Sequence, residues 1–221
     1  MMLKNKKALL FSVGVAACVL GFFAMAAASP QSHRLVLMGH ADLNAGKYQE
    51  ALKKFDAAIK ADPNDAEAVY FSGAALNRAA RFKDALSRLQ GAFAMGYRQP
   101  GLAFDSGWAL LRLGYWAEAI AQLEYFERNI GGRGKTSEFI GQAYLGLRQY
   151  DQAEAKLKEA IQRDADLKPT VLLYLALLER ERKNPTAAEG YLEMLLSEAP
   201  DSAIARAVKK QMDPVPEPKK K

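Results

Sequence analysis

The sequence predicts an all-α protein, a superhelix of about five stacked helix–turn–helix repeats closed by a C-terminal capping helix. Two observations carry the prediction. Gly39, Gly73, Gly107 and Gly141 recur every 34 residues. Ala51, Ala85, Ala119 and Ala153 keep the same interval, twelve residues later. A fixed period of this length marks one helix pair copied and stacked. The small residues have a steric reason: they stand where two helices cross, and a larger side chain there would force the helices apart. One glycine inside a helix costs about 1 kcal/mol, so four in phase read as a packing requirement.

The first repeat (32–65) opens with a helix whose apolar residues are Leu35, Met38 and Leu43, with Gly39 beside Met38. Asn44, Ala45, Gly46 and Lys47 supply the turn, and Gly46 can take the left-handed conformation that ends a helix. Tyr48, Ala51, Leu52, Phe55, Ala58 and Ile59 then follow the i, i+3, i+4, i+7 spacing of one buried stripe. Asp62, Pro63, Asn64 and Asp65 stop the chain and offer caps to the next helix. Four further repeats span 66–99, 100–133, 134–167 and 168–201. The final helix, 201–212, sets Ile204, Val208 and Met212 on one face and Arg206, Lys209, Lys210 and Gln211 elsewhere, as a helix closing a solenoid against water should. The Pro- and Lys-rich tail, 213–221, has no composition for a core.

These residues resemble the tetratricopeptide repeat (TPR) family, and the leader described below makes the chain look like an exported bacterial member. The first repeat matches through Gly39, Ala51, Phe55, Ala58 and Pro63. The second matches through Gly73, Ala85, Leu89 and Ala92, and the fourth through Gly141, Ala153, Leu157 and Ala160. The third has Gly107, Ala119 and Leu123, but Phe126 where Ala is usual. The fifth is degraded and begins one residue late, with Ala176, Ala188, Leu192, Leu195 and Pro200. Two departures stand out. The large residue near each repeat's start shrinks along the array, from Leu35 to Val69, Ala103 and Ser137. Tyr97, Gly131 and Ala165 replace the closing proline.

Residues 1–31 read as a signal peptide or an N-terminal membrane anchor with a short linker. Lys4, Lys6 and Lys7 precede an uncharged stretch from Ala8 to Ala28. Basic head, apolar middle and small-residue end, with Ala26 and Ala28 before Ser29, are the parts of an export signal. The same run is long enough to span a bilayer, and lysines on its N-terminal side would keep that end in the cytoplasm. Val15, Ala16, Ala17 and Cys18 also resemble a bacterial lipobox. All three readings put the repeats in the periplasm or cell envelope. Cys18 is the only cysteine, so no intrachain disulfide can form. Loss of Lys4, Lys6 and Lys7 would lower the formal charge from +6 to +3, too mild an excess to point to nucleic acid.

No catalytic or metal-binding constellation is legible, and the expectation is a non-enzyme without cofactor or metal. His33 and His40 are the only histidines, seven apart on one helix. Gly134, Lys135 and Thr136 mimic the end of a phosphate-binding loop, but Asn129 stands where the motif needs Gly. Gly131, Gly132, Arg133 and Gly134 read better as an inter-repeat loop. The acids are interspersed with Lys and Arg at helical spacing, as on a solvated face.

The family resemblance implies a concave groove lined by the first helix of each repeat. Carried onto this sequence, the groove residues are Val36, His40 and Asn44; Tyr70, Phe71, Asn77 and Arg78; Phe104, Asp105, Trp108 and Arg112; and Phe139 and Gln142, with Glu138 and Leu145. Aromatics and Arg are the residue types of interface hot spots. The family's clamp for a C-terminal carboxylate is absent, because its positions hold Val36, His40, Phe71, Gly101 and Asp105. The resemblance thus implies a protein–protein interaction scaffold gripping a peptide or helix of another envelope protein. Secretion, pilus and polysaccharide-export assemblies are the analogies. The alternative is a carbohydrate-binding module that stacks sugars on Trp108, Phe104 and Tyr70.

Overall fold

A computed structural model describes residues 29–212. Expectations about export, anchoring and Cys18 fall on residues 1–28, and those about the tail on 213–221; both lie outside the described residues. Within 29–212 the chain forms eleven α-helices, one 3-10 turn and no strand, an all-α superhelix of TPR type. The helices are α1 (Pro30–Asn44), α2 (Tyr48–Ala61), α3 (Ala66–Arg78), α4 (Phe82–Ala94), α5 (Gly101–Leu113), α6 (Trp116–Ile130), α7 (Gly134–Gly146), α8 (Tyr150–Arg163), α9 (Lys168–Glu181), α10 (Pro185–Glu198) and α11 (Ala203–Met212).

Each helix packs on its neighbour in sequence. The first helices of successive repeats, α1, α3, α5, α7 and α9, also touch one another, whereas the second helices α2, α4, α6, α8 and α10 do not. The stack therefore bends toward its first helices, which line the inner face.

The periodic glycines sit at the crossings. A Cβ built on Gly107 would lie 2.7 Å from Cγ of Leu123, inside any allowed contact. Gly39, Gly73 and Gly141 face Phe55, Leu89 and Leu157 in the same way, and all four large partners are fully buried. The absent side chain at each crossing is what seats the large one.

Turn chemistry repeats with the same period. Gly46 takes φ +73°, with Lys47 N–H donating to the Asp42 carbonyl and Gly46 N–H to that of Leu43, a Schellman-type ending. The left-handed residue recurs at Ala80, Gly114 and Arg148, each 34 further on, and then at Lys183, 35 after Arg148. The extra residue is taken up by the 3-10 turn Ala165–Leu167 ahead of α9, which is why the fifth repeat runs one residue late. At the first junction Asp65 caps α3 by accepting from Ala68 N–H at 2.9 Å and also accepts from Ser32 Oγ at 2.5 Å, tying repeat one to repeat two. At the far end, Ala205, Ile204 and Val208 of α11 pack on Leu172 and Leu195.

In α1 the expected core stripe is rotated. Met38 is 45% exposed beside exposed Leu37, while Val36 is 2% exposed and packs with Leu52, Phe55 and Leu76. Only α2 and α3 cover α1 among the described residues, so the face that an earlier repeat would cover is bare.

Ion pairs bridge the second helices. Arg88 of α4 meets Asp56 of α2 at 3.1 Å. Lys156 and Arg163 of α8 both meet Glu127 of α6, at 3.3 and 2.8 Å. Arg182, at the end of α9, reaches Asp151 and Glu154 of α8, and these carboxylates hold its guanidinium above the usual range.

Candidate functional site

The inner face carries two open pockets separated by an aromatic stack. The first, about 460 Å³, lies at repeats one to three and is lined by His40, Asn44, Tyr70, Phe71, Arg78 and Asp105, among others. Its side is a cluster of rings: His40 and Phe71 have centroids 3.7 Å apart, Tyr70 meets Phe71 edge-on at 4.7 Å, and Tyr70 stacks on Tyr97 at 4.5 Å. Burial pushes the His40 imidazole down, against an opposing pull from Glu67. Asp105 is held at the bottom. Tyr70 Oη donates to its Oδ2 at 2.9 Å, and Asn77 Nδ2 donates to its backbone carbonyl at 2.8 Å. Burial raises the Asp105 carboxyl to about 6, against the lowering effect of Tyr70, Arg78 and Asn77. Burial, then the Asp105 charge, pushes the Tyr70 phenol far up, and burial takes Tyr97 up to about 12.

The stack comes next. Phe104 lies between Phe126, at 5.2 Å, and Phe139, at 5.8 Å, and Trp108 stacks on Phe139 at 5.9 Å with planes 19° apart. The Arg78 guanidinium sits 5.3 Å from the Trp108 ring centre, and that of Arg112 sits 5.5 Å from that of Phe82. Both arginines are exposed, so the rings are roofed by cations facing solvent.

The second pocket, about 600 Å³, crosses the C-terminal ends of α5, α7 and α9. Arg112, Trp116, Gln142, Leu145, Arg148 and Tyr174 line it, with Leu177, Arg180 and Glu181 on the α9 side. Gln142 Nε2 also donates to Glu138 Oε1 at 2.8 Å, and Lys135 pairs with Oε2 of the same carboxylate at 2.8 Å. Glu138, 1% exposed, is thus satisfied internally.

The residues expected in the groove therefore separate. His40, Asn44, Tyr70, Phe71, Arg78 and Asp105 converge on the first pocket, and Arg112 and Gln142 on the second. Phe104, Trp108 and Phe139 form the stack between them. Val36 and Asn77 require correction: at 2% and 1% exposure they offer a partner no surface. Val36 is drawn into the α1–α2–α3 core, and Asn77 spends its amide inside the protein. Arg148, Tyr174 and Arg180 were missed. The fifth repeat, out of phase, had not been projected onto the groove, although Arg78, Arg112 and Arg180 fall at multiples of 34 residues. Among the described residues no group of three or more His, Cys, Asp and Glu side chains is placed to hold a metal ion.

No curated protein matches the chain in sequence. Solved structures do match in fold. MamA of Desulfovibrio magneticus, from its residue 41 onward, is 18% identical with a TM-score of 0.66, covering 80% of this chain and 100% of that one. A thermophilic TPR protein of Thermus thermophilus is 24% identical, with a TM-score of 0.62 and coverage of 81% and 97%. YrrB, described as a TPR protein with an unusual peptide-binding site, is 18% identical, with a TM-score of 0.63 and coverage of 83% and 92%. At these identities the likeness carries the fold. The family model described as Tetratricopeptide repeat matches residues 36–85 and 140–203, just over half of the chain. Proteins of this kind are generally non-catalytic scaffolds for interaction with other proteins. The in-phase crossings, the recurring left-handed turns and this match together place the chain in the tetratricopeptide repeat family.

Proposed function

We propose that the protein is a non-catalytic scaffold of the cell envelope that holds a peptide or helix of another envelope protein along the inner face. One observation carries the reading. Half-buried rings, exposed arginines above them and an open pocket containing His40, Phe71 and Asp105 lie together on the face toward which the stack bends. Buried apolar anchors with a polar rim are what a protein partner needs. YrrB, which shares the fold, is described as having a peptide-binding site, and that supports a peptide here. Lys4, Lys6 and Lys7 ahead of the apolar run to Ala28 support the envelope, and an uncleaved run would link the scaffold to the membrane. A secretion, pilus or polysaccharide-export assembly remains the analogy for its setting. Sugar stacking is less favoured, because Trp108, Phe104 and Tyr70 each spend a ring face on a protein neighbour.

The test is site-specific photocrosslinking in the envelope. A photoreactive residue at Asn44, exposed in the first pocket, is expected to capture one discrete protein. The same residue at Lys53, exposed on α2, is expected to capture none. Equal capture of that protein from both positions would overturn the groove reading.

A further inference from the structure

We infer that the second pocket, at the ends of α5, α7 and α9, takes the carboxylates of an acidic peptide segment that also carries an aromatic or aliphatic side chain. The inference rests on the groove reading and gives its partner a chemistry. Arg112, Arg148 and Arg180 line one space, and none is ion-paired among the described residues. Other arginines behave differently: Arg88, Arg163 and Arg182 are committed to acids of neighbouring helices. The only carboxylate lining the same pocket is Glu181, and the buried Glu138 nearby is already held by Lys135 and Gln142. Three cations facing one acid leave the pocket with a net positive field.

An arginine in a helix's last turn complements the helix dipole, which accounts for Arg112 and Arg180 singly. It does not account for Arg148, which lies beyond the end of α7 in a left-handed turn, nor for the convergence of all three. The pocket is also shaped. At residue 146, 34 after Arg112, stands a glycine, and a Cβ there would lie 2.6 Å from the Trp116 ring. The missing side chain lets Trp116 close the pocket from the α6 side.

Guanidinium groups bind carboxylates bidentately, and phosphate satisfies the same geometry. The lining favours a peptide. Leu145, Leu177, Trp116 and Tyr174 stand among the cations, and about 600 Å³ across three helices exceeds what one anion fills. These are not the positions of the family's carboxylate clamp, which here hold Val36, His40, Phe71, Gly101 and Asp105.

The test is fluorescence anisotropy on the repeat-containing protein with a rhodamine-labelled peptide of alternating Asp and Glu around one Phe. Its Asn/Gln counterpart serves as control. The acidic peptide should bind, weaken with salt, and exceed the amide peptide by at least about tenfold. Arg112→Gln with Arg180→Gln should lose about tenfold or more, and the exposed side chains should leave the helical spectrum unchanged. Arg206→Gln with Lys209→Gln on α11 should bind as the parent does. Equal binding by the pocket variant, equal loss in the α11 variant, or no binding of the acidic peptide overturns the inference. Arginine-dependent binding to phosphatidylglycerol vesicles without peptide binding overturns it too, and assigns the pocket to a phosphate headgroup. The Asn44 crosslink reads the underlying scaffold reading separately: a partner captured there while the acidic peptide fails leaves the groove standing without this chemistry.

Discussion

Replacing Gly107 by alanine tests the packing logic of the whole array, because Gly190 supplies an internal control. Both glycines lie inside helices, so alanine gains about 1 kcal/mol of helix propensity at either. At Gly190 nothing lies within 4 Å of the new Cβ, and Gly190→Ala should stabilise by about 0.5–1 kcal/mol. At Gly107 the new carbon meets Leu123 Cγ at 2.7 Å and Cδ2 at 2.9 Å, with the Ala119 carbonyl oxygen at 3.3 Å. Leu123 is fully buried and cannot swing into solvent, so α5 and α6 must separate, an overpacking cost of about 1–3 kcal/mol. Gly107→Ala should therefore melt below Gly190→Ala by about 1–3 kcal/mol, at about 2–4 °C per kcal/mol for this size. Gly107→Leu should lie lower still. Circular dichroism at 222 nm against temperature and urea reads the difference. Adding Leu123→Ala removes the opposing atoms, so the Gly107→Ala penalty should shrink in that background by at least about 0.5 kcal/mol. Equal stability of the two alanine variants, or a penalty indifferent to Leu123, would refute the crossing as the reason for the glycine period.

Ala80→Gly should stabilise by about 0.5–1 kcal/mol in the same melts, because Ala80 holds φ +58°, which costs an L-residue about 1 kcal/mol or more. Asp105 makes stability fall as pH rises. Its folded carboxyl titrates near 6, above the ordinary 3.8, so between about pH 4 and 6 the unfolded chain has lost a proton that the folded chain keeps. The loss amounts to at most about 3 kcal/mol, and Asp105→Asn should flatten urea titrations across that window and be the more stable protein at pH 7. Phe104→Ala with Trp108→Ala should lower the melting temperature, since both rings pack on Phe139, and should weaken partner capture at least tenfold by protein that is still folded, as expected for hot spots of about 2 kcal/mol or more; unchanged capture would move binding off this face. A phosphatase fused after Met212 should be active and a cytoplasm-only reporter silent, and the mass of the mature chain should then separate loss through Ala28, no loss, and a lipidated start at Cys18.

The fold was legible because its steric demands repeat. Each crossing needs one absent side chain opposite one large one, so Gly39 with Phe55 and Gly107 with Leu123 print the same pair every 34 residues. The turns were less legible. Gly46 and Gly114 advertise the left-handed position, but Ala80, Arg148 and Lys183 occupy it without any residue-type signal, because the surrounding helix ends dictate the conformation. The stripe of α1 was misread for a related reason. Periodicity locates an apolar face relative to a neighbour, and α1 has none on its outer side among the described residues, so Met38 keeps the spacing of a core residue while standing in solvent.

The site was less legible than the fold because side-chain type does not reveal commitment. Arg88 and Arg112 look alike in sequence. Arg88 faces Asp56 across the outer side, where neighbouring second helices stand apart and long charged side chains bridge the gap. Arg112 projects from a first helix, on the side where the helices are close, and the ring of Phe82 is its neighbour rather than an acid. Exposed ion pairs of the first kind contribute about 0–1 kcal/mol, so their value is mostly in holding the pitch of the stack. Arginines of the second kind add no pair energy and repel one another. Their placement is explained only by what is brought to them, which makes Arg112 and Arg180 more informative targets for substitution than the buried rings, whose loss would confound binding with folding.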